Sequence, residues 1–488
     1  YFSSEAVSFS FYKQLSGHPT NANDIWPIVE DRKGNLWLGT DGGGLTYFNL
    51  KSGKYTNYTH DPNDPNSISS DIVVSMSKAA KGGLWLGTYF GGLNYFDGKK
   101  FITYYNDEND PNSISDNSVW NLLLDSQDRL WVGTLKGGVD VYDQNFNKLE
   151  HYSLDNQRIN SNYITTFCED KDGKMWIGTG YGLEVVDPKV DTIRHILRET
   201  GNDESLSNNS ILHIFCDDKN DLWIGTMYGL SHYDQEANKF NFYTKEDGLP
   251  ENIVAATAQD DEGNYWLSTP KGLSKLSFKD GQPIFNNFDI SDGLQGDVFN
   301  ERSVLKLRNG DLAFGGKNGL NVFEPEKIKI NDNKNELVLL DFMVSNQQIK
   351  PGDTFNERVW FEKGLNNTED LTLKHDENSF TIEFTALSFY RQENINYKYR
   401  LLGFDDDWVV RPNIHRANYT NLDPGTYQFE VMASDQTQRW NSQARMMNIV
   451  ILSPWWQTPL AYVIYAVLIV LGLYFTRRTI IAKERFRA

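Results

Sequence analysis

The chain has 488 residues, of which 39% are apolar and 14% aromatic, and carries a formal charge of −19. Its length exceeds what one compact core supports, so two or more domains are expected, and its composition excludes extended disorder. The negative charge excludes a nucleic-acid surface, whose affinity comes from Lys and Arg displacing counter-ions.

The opening stretch "YFSSEAVSFSFYKQL" has no basic start followed by an apolar run, so it does not read as a secretory signal. It reads instead as the tail of a repeat unit, cut from a longer protein. From there the sequence repeats itself: "NLWLGTDGGGL", "GLWLGTYFGGL", "RLWVGTLKGGV", "KMWIGTGYGL", "DLWIGTMYGL", "NYWLSTPKGL" and a degenerate "DLAFGGKNGL". The anchors Trp37, Trp85, Trp131, Trp176, Trp223, Trp266 and Ala313 are spaced by 48, 46, 45, 47, 43 and 47 residues. Each unit holds short β-branched and aromatic runs between Gly, Asn and Asp turns, which predicts four antiparallel strands. Seven such units predict a seven-bladed β-propeller over residues 1–328. The run "SFSFYK" lacks the earlier strands of its own unit and the last unit lacks a fourth, so the two are expected to complete one another and remove the exposed edge.

Features common to most units serve the ring, since one ligand cannot need seven copies of the same group. The repeated Trp is expected to wedge between sheets, and the glycines to permit positive φ in the second turn. The paired acids Glu30–Asp31, Glu169–Asp170, Asp217–Asp218 and Asp260–Asp261 are expected to cap turns rather than to form a glycosidase pair. Stretches such as "DKDGK" lack the later ligand positions of a calcium loop, so they read as turns. Cys168 and Cys216 occupy the same place in two units. They are read as small buried residues, with no disulfide framework, redox role or CxxC metal pattern. Neither metal nor other cofactor is expected, and no catalytic residue is assigned.

Positions that differ between units are the functional candidates. In the turn after "GT" these include Tyr89, Phe90, Tyr181, Tyr228 and Lys271. At the start of the inner strands they are Trp26 and Trp120, beside Val73, Thr165, Leu212 and Val254, with His213 one position on. Both sets are expected to ring one mouth of the central channel. An aromatic rim with scattered polar groups suits stacking on sugar faces or docking of a protein surface.

After residue 330 the period is lost. Alternating runs such as "LTLKHDENSFTIEFTAL" and "GTYQFEVMAS" predict an immunoglobulin-like β-sandwich over 331–453. Next, "WWQTPLAYVIYAVLIVLGLYF" carries no charge and predicts a single transmembrane helix over 455–476, with Pro459 in its first turn and Trp455, Trp456 and Tyr474 as interfacial anchors. Residues 477–488 hold five basic side chains and one acid, a net of +4 that leaves −23 on the rest. They are expected to begin a cytoplasmic segment, which places the propeller and sandwich outside.

Taken together, the "LWLGTxxGGL" units, "INYKYRLLGFDDDW", "ANYTNLDPGTYQFEVMAS" and "SPWWQTPLAYVIY" resemble the sensor region of hybrid two-component regulators of gut Bacteroidetes. Tyr397, Tyr399, Trp408, Tyr419, Pro424, Gly425 and Tyr427 stand where that family's three-tyrosine sandwich has its motif. The resemblance implies that this ring is the second of two, and that histidine kinase, receiver and DNA-binding modules follow residue 488. It implies a location at the inner membrane with the sensor in the periplasm, an oligosaccharide ligand, a homodimer through sandwich and membrane helix, and control of glycan-utilisation genes. Two other readings compete: the same sensor coupled to a cyclic-dinucleotide synthase or gene-regulatory domain, and a membrane-anchored propeller that binds or cleaves glycans.

Overall fold

The computed structural model describes residues 9–12, 23–190, 192–328, 336–345, 347–352, 354–355, 358–361, 364–387, 395–411, 414–434, 440 and 444–487. The first eight residues, and with them the expected cut from a longer protein, lie outside the described residues, as do both ends of the run "SFSFYK". Two compact units are present, Tyr1–Ile330 and Asn331–Ala488.

In the first unit each sequence repeat becomes one antiparallel four-stranded sheet, and there are seven of them. The innermost strands are Ile25–Glu30, Val73–Lys78, Val119–Leu124, Ile164–Glu169, Ile211–Cys216, Ala256–Gln259 and Phe299–Lys306. Blade 7 takes its outer strand from the other end of the unit. Phe11 and Tyr12 pair with Asn321 and Leu320, so the sheet contains both ends of the repeat array. Phe9, 2% exposed, locks this seam with edge-on contacts to Trp266, Phe288 and Phe323 at 6.2, 5.2 and 4.7 Å. A ring sealed this way leaves no strand edge of blade 7 unpaired at the join.

The repeated residues do the work of the ring. Trp131, Trp176, Trp223 and Trp266 are fully buried, and each indole N–H donates to an aspartate six residues earlier, at 2.9, 2.8, 3.1 and 3.0 Å. The same carboxylates, Asp125, Asp170, Asp217 and Asp260, also accept backbone N–H groups of the first turn. Turn and blade core therefore share one anchor. Asp170, Asp217 and Asp260 belong to three of the acid pairs, and their role is the expected capping. In blade 1 Asp31 caps its turn likewise but accepts from the Tyr47 hydroxyl, 2.8 Å away, in place of an indole.

The "GT" dipeptide has two separate tasks. The threonine hydroxyl donates to a carbonyl across the second turn and accepts a turn N–H, as Thr134 does with Gly138 and Gly137. The glycine before it faces the next blade: a Cβ on Gly133 would lie 2.6 Å from the Ile164 side chain. In the second turn Gly138 has φ +81° and a Cβ there would run into the Tyr152 carbonyl, so the backbone demands glycine.

The third strand of several blades carries a buried acceptor that grips the loop leading into that blade. Asn94, Asp140, Glu184, Ser231 and Asn321 accept the backbone N–H groups of Ser69, Ser115, Asn160, Ser207 and Gln295. Burial alone would raise the Asp140 carboxyl. Hydrogen bonds from His151 and Ser115, with Lys148 nearby, outweigh it and hold the group below the usual carboxylate range.

One expectation is corrected. Cys168 and Cys216 are not separate buried thiols but a disulfide joining the inner strands of blades 4 and 5, with Cα atoms 6.3 Å apart. Equivalent positions of adjacent blades are neighbours around the ring, so two cysteines one period apart fall within bonding reach.

In the second unit a four-stranded sheet (Gln347–Ile349, Glu336–Val344, Phe380–Leu387, Arg416–Tyr419) faces a five-stranded one (Asp370–Leu373, Arg445–Ile451, Gly425–Ala433, Tyr397–Leu402, Val409–Arg411). Phe342, Phe384, Tyr397 and Phe429 fill the space between them. Tyrosine hydroxyls tie loops to this core: Tyr419 donates to Asp405 at 2.7 Å and Tyr427 to the Asp423 carbonyl at 2.8 Å, while Tyr397 accepts the Ala386 N–H at 3.0 Å. After the last strand, a single turn of 3-10 helix, Trp455–Gln457, precedes a helix over Pro459–Arg487. Proline is its first residue, where a missing N–H costs nothing. Pro459–Lys483 is long and apolar enough to cross a membrane.

Two measurements check the disulfide. Peptides carrying Cys168 and Cys216 are expected to migrate as one species until reduced, and Cys216→Ser is expected to lower the stability of the propeller to denaturant by about 2–4 kcal/mol.

Candidate functional site

Ladder registers put the start of each inner strand beside the end of the second strand: Ile25 pairs with Thr40, Val119 with Thr134, Ile164 with Thr179 and Ile211 with Thr226. The second turn follows that threonine, so the two sets of variable positions share one end of the ring. Inner strands of blades 1 to 5 are irregular just past this pairing, between Ile25 and Ile28, Val73 and Ser75, Val119 and Asn121, Ile164 and Thr166, and Ile211 and His213. A bulge of this kind re-aims the unpaired side chain. Trp26, Trp120, Thr165 and Leu212 are the bulged residues. In blade 2 the equivalent is Val74, whereas Val73 pairs with Thr88 inside the ladder, which corrects the alignment made from sequence.

Trp26 and Trp120, both half-buried, meet across the channel edge to face, ring centres 5.7 Å apart. Tyr89 extends this contact, 6.2 Å from Trp120 and 4.1 Å from Phe90. Phe90 is 64% exposed and holds φ +60°, a left-handed conformation uncommon for a bulky residue. Tyr181 and Tyr228 are exposed on the turns of blades 4 and 5, and among the described residues no ring contact ties them to the Trp26–Trp120 cluster. Lys271 is exposed and lies 3.5 Å from Glu251, which also faces Lys245 at 3.7 Å.

His213 is buried, and its Nδ1 accepts the Thr257 N–H at 3.1 Å. The remaining proton is therefore on Nε2. Burial, and the charge of Arg302, push its pKa down to about 3.

Arg302 was not among the residues expected from the repeat. Blade 7's inner strand leaves register between Phe299 and Val304, and Arg302 sits in that excursion at φ +60°. Its own N–H donates to the Ala255 carbonyl at 2.9 Å. Its guanidinium reaches across the ring to the Thr165 carbonyl and lies 5.4 Å over the Trp120 ring. Tyr163, 6.5 Å from Trp120, and Asn300, which donates to Asp24 and to the Ile25 carbonyl, complete the cluster. The signal in the sequence was its place eleven residues before the Ala313 anchor, where Trp26 and Trp120 stand before Trp37 and Trp131.

A cleft of about 650 Å³ also opens in the sandwich, lined by Tyr399, Phe404, His415, Arg416 and Tyr419. Its polar groups are already engaged, Arg416 with Glu383 at 2.7 Å and Tyr419 with Asp405. The mouth, with its aromatic surface and unengaged donors, is the stronger candidate. Among the described residues no group of His, Cys, Asp and Glu is arranged to hold a metal ion.

Comparison with known proteins follows the same division of the chain. Residues 21–42, 113–136, 158–181 and 205–228 match the two component regulator propeller family, and residues 388–452 match the Y_Y_Y domain. The extracellular domain of a hybrid two component system from B. thetaiotaomicron superposes with a TM-score of 0.72 at 26% identity, over 91% of this chain and 58% of that one. A second extracellular domain from the same organism superposes at 0.54 with 21% identity, over 92% and 59%, and shares the fold. A histidine kinase, P4, of Formosa agariphila is 29% identical over 323 residues, 65% of this chain. The chain spans only 23% of that relative's length.

A neutral buried histidine makes stability depend on pH. The unfolded chain binds this proton near pH 6.5 and the folded one near 3, so the contribution is complete above 6.5 and is lost on acidification, by at most about 1.4 kcal/mol per pH unit. Denaturant unfolding between pH 7 and 5 is expected to show this slope, and His213→Asn, whose amide oxygen can still accept from Thr257, is expected to flatten it.

Proposed function

We propose that this chain, which carries two component regulator propeller repeats followed by a Y_Y_Y domain, is the extracytoplasmic sensing part of a two-component histidine kinase system and detects oligosaccharides at the propeller mouth. The observation that carries the reading is the agreement in fold and order of parts with the extracellular domain of a hybrid two component system over 91% of the chain. The mouth supports a sugar ligand: Trp26, Tyr89, Phe90 and Trp120 offer apolar faces beside polar atoms, the combination on which pyranose rings stack.

Transmission follows from linkage. A ligand shifts a two-state equilibrium only through its difference in affinity for the two states. In this reading the states are two arrangements of a homodimer, paired through the sandwiches and the apolar helices, and control of glycan-utilisation genes is the output. The helix at Pro459–Lys483 supplies the crossing, with the propeller and sandwich in the periplasm and the basic residues after Tyr474 on the cytoplasmic side.

Calorimetry of the detergent-solubilised chain against a panel of neutral and acidic oligosaccharides is the test. At least one is expected to bind and to quench tryptophan fluorescence, and Trp120→Ala is expected to weaken it tenfold or more. Single cysteines placed from Trp455 to Tyr465 are expected to cross-link with a ligand-dependent yield. Absence of binding across the panel would remove the oligosaccharide reading.

A further inference from the structure

Four observations at the centre of the ring do not belong to the repeat. Arg302 is held by a strained left-handed backbone in an excursion, from Phe299 to Val304, longer than the bulges of blades 1 to 5. Strain of this kind persists where the surroundings over-determine it, and it clusters at ligand clamps. Among the described residues no carboxylate lies within ion-pair distance of its guanidinium; the nearest acid acting on it is its chain neighbour Glu301. Its Nη2 is closed off from solvent with no acceptor, and so are Nε1 of Trp26 and Nε1 of Trp120, the Tyr163 hydroxyl lying near the latter but outside hydrogen-bond geometry. The hydroxyls of Thr165 and Thr257 are likewise unengaged, one beside the carbonyl that receives Arg302 and the other beside the N–H that meets His213.

These groups form one contiguous cluster. Trp120 lies under the guanidinium at 5.4 Å and against Trp26 at 5.7 Å. Guanidinium and indole nitrogens only donate, so the cluster holds an excess of donors and one uncompensated positive charge. Water brings as many donors as acceptors and leaves the charge unbalanced. A neutral sugar hydroxyl has the same shortcoming. A group with several acceptor oxygens, no hydrogen to place and a negative charge meets both needs.

We propose that the ring centre is an oxyanion site, and that it selects oligosaccharides carrying a carboxylate or sulfate. Arg302 is its charged clamp and the indole N–H groups of Trp26 and Trp120 are its secondary donors. This inference rests on the oligosaccharide reading above and adds the chemical class. Tyr89, Phe90 and Tyr163, on the approach, receive the sugar ring while the acidic group reaches inward. Since the donor atoms are closed off from solvent, a ligand reaches them only by drawing Arg302 and Trp120 apart. The unliganded and liganded centres are then two distinct arrangements.

The test compares a uronic-acid oligosaccharide, its carboxyl-reduced neutral counterpart and a sulfated analogue, titrated into the full chain in detergent. The acidic forms are expected to bind at least tenfold more tightly than the neutral one, and the carboxylate and sulfate arms separate the two sources of the anion. Arg302→Gln is expected to abolish that preference, with Arg302→Lys intermediate. Trp120→Phe, which keeps an aromatic ring and removes its donor, is expected to narrow the acidic-over-neutral ratio a few-fold. Sodium sulfate and glucuronate monomer, at constant ionic strength against chloride, are expected to shift the tryptophan emission of the wild-type chain. Equal affinity for the acidic and carboxyl-reduced sugars would overturn the oxyanion site and leave the sugar reading standing. A response to small anions with no oligosaccharide bound would do the reverse, and no response to either would end both.

Discussion

Closure of the ring is the constraint from which the rest of the propeller follows. The four-residue segment from Phe9 to Tyr12 supplies the outer strand of a blade whose other three strands lie some 290 residues further along, at Phe299–Phe323. With the seam shut, every inner strand has a neighbour on both sides, and the spacing between blades has no slack. The glycine of "GT" has to be small because the next inner strand is already there, as Gly133 is against Ile164. Burial of large side chains at these interfaces, at roughly 25 cal/mol per Å², then stabilises the closed wheel as a whole rather than blade by blade.

Within that frame the exceptions carry the chemistry. Six repeats end the second strand on a threonine, but blade 7 has Gly316, and the turn there is served by Gln295 instead. The same blade departs from the inner-strand register and sends Arg302 into the axis. Blades 1 and 3 bring tryptophan to the mouth, and Arg302 and Tyr89 both reach the blade 3 ring, Trp120, against which Trp26 packs. One irregular blade thus organises the middle of an otherwise regular object.

The wheel, the sandwich and the apolar helix were legible in the sequence because each has a periodicity: about 46 residues, two residues, and an unbroken apolar run. Pro459, read as a first-turn residue of a helix from 455 to 476, proves to be the first residue of the helix, which starts four residues later than expected and runs to Arg487. The capping acids Asp31, Asp170, Asp217 and Asp260 were also readable from their recurrence, whereas the links of Glu30 to Arg308 and of Glu169 to Ser126 in neighbouring blades were not. What escaped depends on contacts that period cannot express. Cys168 and Cys216 looked like two copies of one buried position, and it was that equivalence, in adjacent blades, that brought them together. Val73 was taken for Val74, which stands eleven residues before Trp85 as Trp26 does before Trp37. Arg302 shares the column of Trp26 and Trp120, eleven residues before the anchor, and was passed over because its unit is the degenerate one whose anchor is Ala313.

The C-terminal helix has a mechanical corollary. At 1.5 Å per residue, its 29 residues extend about 43 Å, against about 30 Å of hydrocarbon. The helix therefore does not stop at the lipid boundary but runs on through the basic stretch after Tyr474 without a break in its backbone hydrogen bonding. A rod that outlasts the bilayer cannot absorb a twist or a piston stroke at the far surface. In the sensor proposed above, a displacement imposed by the sandwich at Thr458 would be handed along this one continuous helix to the basic stretch at its far end.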